Sequence, residues 1–304
     1  MKKKYDLSII IVNYKSDSLL WQCLKSIQRY LKIIKFEIII VSNSKIEIKY
    51  KKLIRNIKTQ KKIIELKNNI GFPAANNVGR KFTHSDFILM LNPDTLFIDE
   101  SFLKMFSYFR EHKNIGIIGP KLIDANNRQQ SSFFTNVSLL SIVADEFYLS
   151  KFKIFAFHYY YYKKFKMPQK VDSLSGACML TRSKYLSKKY LLDEKLFWIE
   201  DDEICLRMKA KGYDVIYYPN TTIIHYGDKN NKKASKIKIF NQYLGKIKLF
   251  QKYKKYFSVK FLKIFFFFIF QIKKIIFFLS KNEKEKLAIY TELGKEIFKV
   301  KYDD

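Results

Sequence analysis

Residues 7–17 read Leu7-Ser8-Ile9-Ile10-Ile11-Val12-Asn13-Tyr14-Lys15-Ser16-Asp17. A continuous apolar run of this length is typical of a strand buried on both faces. Ser16 and Asp17 then offer a helix cap, and Leu19, Leu20, Cys23, Leu24 and Ile27 follow at helical spacing. The same rhythm continues outward. Phe36 to Val41 reads as a second buried strand, Ile63 to Leu66 as a short third, and residues 71–82 as a loop entering a helix. Phe87 to Leu91 (FILML) is a fourth strand that ends in Asn92-Pro93-Asp94. A helix is expected over 101–112 and a strand over 115–118. A glycine-entered strand is expected over 175–180, an acidic-fronted helix over 197–211 and a strand over 215–218. This alternation predicts an α/β fold, with a mostly parallel central sheet and helices on both faces. No GxGxxG follows the first strand, so a dinucleotide site is not indicated.

The composition narrows the class. With 304 residues, 48% hydrophobic and 17% aromatic, the chain has enough apolar material for a large core, which excludes a disordered protein. Cys23, Cys178 and Cys205 have no metal-ligand spacing, exclude a disulfide framework and suit a reducing compartment. The net charge is +30, but only seven of the 58 basic residues are arginine. Lysine, isoleucine, phenylalanine, asparagine and tyrosine are abundant together, as AT-rich coding would produce. A nucleic-acid binder more often mixes arginine into its basic face, so the charge favours some polyanion without naming it. No secretory signal is evident, since Asp6, Asn13, Lys15 and Asp17 interrupt the first apolar run.

Three segments carry chemistry. Asp94 follows a strand directly, where ligands of open α/β sheets bind, and a hard divalent cation takes carboxylate, amide and phosphate oxygens. The alternative there is an Asx-turn or a helix cap. Glu200-Asp201-Asp202-Glu203 is an acidic run behind Phe197-Trp198-Ile199. An apolar neighbourhood raises carboxylate pKa values and makes a usable base, whereas acids at a helix N-terminus are also favourable without catalysis. The loop 68–79 (NNIGFPAANNVG) offers Gly71 for a tight turn and two small alanines at a helix start.

Together these segments resemble the family-2 glycosyltransferases of the GT-A fold, in their rhamnosyltransferase-like branch. The resemblance runs from Leu7 to Gly227 through SIIIVNYKS, NNIGFPAANNVG, LNPDT, IGPKL, SGACMLTRS, FWIEDDEICLRMKAKGY and IIHYGD. It implies an inverting hexosyltransferase that uses a nucleotide-diphosphate sugar and Mg2+ or Mn2+. Val12, Asn13 and Tyr14 would line the nucleotide pocket, and Asn69, Gly71, Phe72 and Asn77 would shape the nucleotide-sugar site. Asp94 would bind the metal in an NxD motif with Asn92. His225 matches a histidine that approaches the metal or diphosphate, although a lone histidine after a strand is often structural. Gly176, Ala177 and Trp198 would border the acceptor, and Glu200 and Asp201 match the Glu-Asp pair whose Asp is the catalytic base. Two positions depart from the family pattern. Ser42 stands where an Asp usually contacts the nucleoside, and Glu203 replaces a usual second Asp.

The composition shifts after residue 228. From Lys229 to Asp304 there are 20 lysines against 6 acids, around the run FLKIFFFFIFQIKKIIFFL at 261–279. Lysines interrupt it, so a helix lying in the membrane interface fits better than a span, with a core helix as the other reading. The expected division is therefore a catalytic domain over 1–230 and a helical membrane-associating region over 231–304. The expected setting is peripheral, on the cytoplasmic face of the inner membrane. The partners would be a nucleotide-sugar donor, a lipid-linked or oligosaccharide surface-glycan acceptor and an anionic membrane, with no nucleic acid. A catalytically silent scaffold and a basic nucleic-acid binder are the competing classes.

Overall fold

The structure is a computed structural model that describes residues 5–135, 137–149, 165–186, 190–227, 236–253, 255–280 and 283–302. Much of the aromatic, basic segment 152–168 lies outside these residues, as does the expected boundary at 230.

The apolar runs form the middle of one sheet. β1 (Leu7–Asn13) is buried at every position and pairs in parallel with β2 (Phe36–Ser42) and β4 (Phe87–Leu91). β3 (Lys61–Glu65) extends the sheet in parallel beyond β2. On the other side, β10 (Cys178–Arg182) runs antiparallel between β4 and β6 (Ile115–Ile123). β11 (Asp214–His225) runs parallel to β6, and β5 (Thr95–Phe97) closes that edge antiparallel to β11. The strand order is thus β3-β2-β1-β4-β10-β6-β11-β5.

β11 is longer than the expected 215–218, because a register shift between Tyr218 and Thr222 bulges the chain at Pro219 and lets pairing resume as far as His225. Proline lacks the ladder N–H, and a bulge is where a strand tolerates it. Leu89 and Leu91 from β4 join Leu7, Ile9 and Ile11 on the sheet face covered by α1 (Asp17–Tyr30) and α4 (Ser101–Glu111). On the opposite face, α3 (Phe72–Arg80) presses Gly79 against β1. A Cβ there would meet Ile10 Cγ2 at 2.6 Å, so this close crossing requires glycine. The three cysteines are buried thiols.

The C-terminal helices pack onto the rest of the chain. α7 (Lys236–Lys252), α8 (Tyr256–Leu279) and α9 (Lys284–Glu296) share one apolar cluster with Ile142 of α5 (Leu139–Glu146) and with Leu196 and Ile199. Leu196 and Ile199 lead directly into α6 (Glu200–Ala210). One face of α8 therefore takes the core-helix reading.

Buried charges fix this docking. Glu203 is fully buried on α6 and accepts from Arg207 Nε at 3.0 Å and from Lys252 Nζ of α7 at 2.7 Å. Lys252 Nζ also donates to Asp193 at 2.5 Å, and Asp193 accepts from Tyr302 Oη at 2.6 Å. Burial alone would lower the Lys252 pKa. Glu203 and Asp193 overcome that and raise it, so the ammonium stays charged. A second pin joins Lys273 of α8 to Glu146 of α5 at 2.7 Å.

Removing one partner of a buried charge cluster costs far more than the cluster contributes, because the remaining ions are stranded. Lys252→Met is accordingly expected to lower unfolding stability by about 3 kcal/mol in urea titration. Glu203→Gln combined with it is expected to recover part of that loss. An unchanged midpoint in the single variant would contradict the assignment.

Candidate active site

Strand direction gathers the predicted residues at one edge. β1, β2, β4 and β11 all end there, and antiparallel β10 begins there. Cys178 pairs with Leu91, and the Asn92 N–H donates to the Ala177 carbonyl at 2.9 Å. That single bond sets the SGA entry of β10 beside the NPD exit of β4. This is the crevice at the carboxyl ends of an open sheet where ligands bind.

At the β1/β2 end, the side chains divide between inward braces and exposed groups. Asn13 is fully buried and donates to Asp17 Oδ1 at 2.8 Å and Ser42 Oγ at 2.9 Å. Ser42 is also fully buried and donates to the Ser44 carbonyl at 2.6 Å. Both therefore brace the strand ends, while buried Val12 packs with Val41 and Ala75. Tyr14 is the exposed group on this rim, 45% accessible, with Lys15 Nζ 5.4 Å from its ring centroid. Asn43 ties in the neighbouring loop: it accepts from the Ile70 N–H at 3.2 Å and donates to the Gly71 carbonyl at 3.3 Å. Asn69 Oδ1 accepts from the Gly71 N–H, and Gly71 has a φ of +87°, a conformation that favours glycine. Asn69 is exposed and Phe72 half-buried on this loop. Asn77 is a brace: its amide donates to the Leu192 carbonyl and Glu194, and accepts from the Leu191 and Leu192 N–H groups.

Asp94 and His225 come together from residues 131 positions apart in sequence. His225 pairs with Thr95 across β11 and β5, and the Tyr226 N–H donates to the Asp94 carbonyl at 2.9 Å. His225 Nε2 lies 3.5 Å from Asp94 Oδ2. On its other side, His225 Nδ1 lies 2.9 Å from Gln130 Oε1, while Gln130 Nε2 donates to the His225 carbonyl at 2.8 Å. An amide oxygen only accepts, so the Nδ1–H is directed at Gln130 and Nε2, on the Asp94 side, is the nitrogen left to ligate. One carboxylate and one imidazole nitrogen converging this way fit a divalent cation that takes its remaining ligands from phosphates and water. Among the described residues no group of three His, Cys, Asp or Glu side chains forms a complete metal cage. Asn92 is half-buried beside this pair.

The acidic run divides into separate environments. Asp201 Oδ2 accepts from the Gly176 N–H at 3.2 Å, and its Oδ1 accepts from the Asp202 N–H at 3.0 Å. Burial raises the Asp201 pKa, and these backbone donors oppose the rise. Glu200 is pushed up to about 8, first by burial and then by the Asp201 charge. Asp202 is pushed up to about 7 by the same two causes. Asp201 is thus the charge to which its neighbours respond. Glu200 Oε2 and Asp202 Oδ1 are buried without hydrogen-bond partners among the described residues. Glu203, the fourth acid, belongs to the Lys252 cluster and faces away from this chemistry. Trp198 precedes the run at a φ of +74°, 43% exposed, with Lys238 Nζ 5.0 Å from its ring centroid. Strained non-glycine backbone beside a ligand crevice is a recurrent feature of binding sites.

Two positioning residues escaped the sequence reading. Gln130 follows a polar turn with no pattern that points to His225. Asn43 follows directly on the β2 exit, and its loop partners Ile70 and Gly71 are 27 and 28 residues away.

The raised carboxyls have a sign that can be measured. Native Glu200 keeps a proton that the unfolded chain releases above the ordinary value of 4.5. The native state therefore binds more protons between about pH 4.5 and 8, and stability falls as pH rises through that window. Glu200→Gln removes the Glu200 share of this slope, leaving that of Asp201 and Asp202, and at pH 8 it should be more stable than wild type by on the order of 2 kcal/mol. Denaturant midpoints across pH check this, and a variant that tracks wild type at every pH would contradict it.

Comparisons with known proteins agree with this arrangement. A sequence search of characterised proteins gives no match. Among solved structures, the crystal structure of GalNAc-T7 with UDP, GalNAc and Mn2+ superposes with a TM-score of 0.59 at 14% identity, covering 83% of this chain and 51% of that one. The mannosyltransferase PcManGT from Pyrobaculum calidifontis, in complex with GDP-Man and Mn2+, gives 0.55 at 12% identity, over 84% of this chain and 65% of that one. TarS of S. aureus gives 0.51 at 16% identity, over 81% and 42%. The chain thus spans from under half to just under two thirds of the lengths of these three proteins, and they share its GT-A fold. The family model described as "Glycosyltransferase like family 2" matches residues 5–242. That match takes in every strand of the sheet and all the acids at its carboxyl edge, and the chain belongs to the family-2-like glycosyltransferases.

Proposed function

We propose that the protein moves a hexosyl group from a nucleoside-diphosphate sugar to a hydroxyl of a lipid-linked surface glycan, with inversion at the anomeric carbon. The observation that carries this reading is the pair of unlike carboxylates on one edge. Asp94 faces His225 Nε2, while Asp201 is held by the Gly176 backbone on the other side of the Asn92–Ala177 bond. Support for the donor comes from the UDP and GDP-Man in two structures of the same fold. Rhamnose is favoured only by the resemblance to the rhamnosyltransferase-like branch.

Departure of a nucleoside diphosphate builds negative charge, and Asp94 with His225 Nε2 would hold Mg2+ or Mn2+ beside it. Such an ion supplies Lewis-acid stabilisation of the leaving group. Gln130 keeps His225 in the tautomer that ligates. The acceptor hydroxyl is a poor nucleophile, and Asp201 takes its proton as it attacks. The Gly176 and Asp202 N–H groups aim that carboxylate and oppose the rise that burial imposes on it, while Glu200 and Asp202 are pushed up to about 8 and about 7. A single displacement through an oxocarbenium-like transition state inverts the anomeric centre and needs no covalent sugar–enzyme intermediate. The nucleoside would meet the Tyr14 rim, beside the β2 exit where Ser42 stands in place of the family's usual Asp.

Asp201→Asn tests the base. Turnover of the cognate nucleotide sugar should fall by about 10^3. Nucleoside-diphosphate affinity with Mn2+, measured by calorimetry, should stay within about threefold, because base and donor contacts are separate. Retained turnover would remove Asp201 from the role, and loss of nucleotide binding would assign it to the donor instead.

A further inference from the structure

α8 carries an apolar face that no part of the described structure covers. Phe257, Phe261, Ile264, Phe268, Ile272 and Ile275 are all exposed, and their steps of three and four residues place them on one side of the helix. Phe257 is 82% accessible, Phe268 60% and Ile275 61%. Leu262, Phe266, Ile269 and Phe270 occupy the opposite side and are buried in the cluster with α7 and α9. The helix therefore cannot roll its stripe inward without uncovering that core, and the Lys273–Glu146 pair fixes the roll. Exposed apolar faces of this extent mark contact surfaces.

The charges indicate what the face meets. α8 contains no acidic residue over its 24 positions. Lys260 flanks the stripe in solvent, and Lys274 flanks it further along, half-buried beside Gln271. Lys255 precedes the helix, and Lys299 and Lys301 lie exposed just beyond α9. A second copy of this chain on the same face would bring lysine flank against lysine flank, which like charges oppose. No described helix is long and apolar enough to cross a membrane. Aromatic and aliphatic side chains on one side, lysines beside them and a span of about 36 Å match a helix lying in the plane of an interface.

We propose that this face of α8 seats the protein on an anionic phospholipid surface, with the stripe in the acyl boundary and the flanking lysines at the headgroups. Removing the tail is a poor test, because it would strip Glu203 of Lys252. Flotation of the full chain with phosphatidylcholine vesicles, with and without phosphatidylglycerol, is the direct one. Wild type should float with the anionic vesicles, less so at high salt, and poorly with phosphatidylcholine alone. Phe268→Asp/Ile275→Asp should keep the native circular dichroism and melting profile and bind anionic vesicles at least about tenfold more weakly. Lys260→Glu/Lys274→Glu should weaken binding only to the anionic vesicles.

Wild type that fails to float, or an apolar-face variant that floats unchanged, overturns the proposal. So does a wild-type dimer that the apolar-face variant converts to monomer, since a second copy then owns the face. Turnover of nucleotide sugar on a soluble acceptor is read in parallel. Vesicle binding without any turnover would sink the proposed chemistry and leave the lipid contact standing, and turnover without vesicle binding would do the reverse.

Discussion

Lys252 lies between Glu203 and Asp193, and where it sits decides where the acidic helix sits. Glu203 is on α6, two residues past Asp201. Asp193 is in the loop whose backbone is gripped by Asn77 of α3. One ammonium group therefore links the helix that carries Asp201 to the loop gripped by Asn77 of α3. Tyr302, from the far end of the chain, closes the same cluster. A buried ion cluster is a weak source of net stability, since desolvation offsets most of the attraction. Its consequence here is geometric, because stranding any member is costly and only one docking of α7 satisfies them all.

That rigidity matters because the chemistry places charges where folding alone would not. Glu200, Asp201 and Asp202 stand side by side on apolar surroundings, and each has a raised pKa. The cluster costs stability above neutral pH, and the Lys252 network and the packing of α7 onto Ile199 hold it in place. Asp94 has different surroundings, since it faces His225 Nε2 rather than other acids. Two carboxylates on one sheet edge thus acquire different duties from their surroundings alone.

The sheet was legible where strands are buried on both faces. β1, β2 and β4 carry the apolar runs Ile9–Val12, Ile38–Val41 and Phe87–Leu91, each followed by a polar strand exit. The C-terminal half of β11 was hidden because Pro219, Asn220 and Thr221 sit in a bulge that breaks the pattern without ending the strand. β5 and the two-residue strands β7 (Phe133–Phe134), β8 (Gln169–Lys170) and β9 (Ser173–Leu174) are too short for any period to show. In the site, Asp94, Asp201 and Gly176 were visible from their neighbours in sequence. The duty of Glu203 was not, because its partner Lys252 is 49 residues away. Gln130 was invisible for the same reason, 95 residues from His225. The tail was read as a region apart because its composition changes, and composition reports nothing about which lysines are spent inside. Lys252 and Lys273 are partly buried pins paired with acids, and the surface lysines are others.

The central claim is the division of labour between the two acid sites. The anomalous-scattering signal of Mn2+ in crystals soaked with a nucleoside diphosphate locates the cation directly. The account predicts one peak within ligand distance of Asp94 and His225 Nε2, with Asp201 holding no metal. A peak on Glu200, Asp201 or Asp202 with Asp94 bare would contradict it.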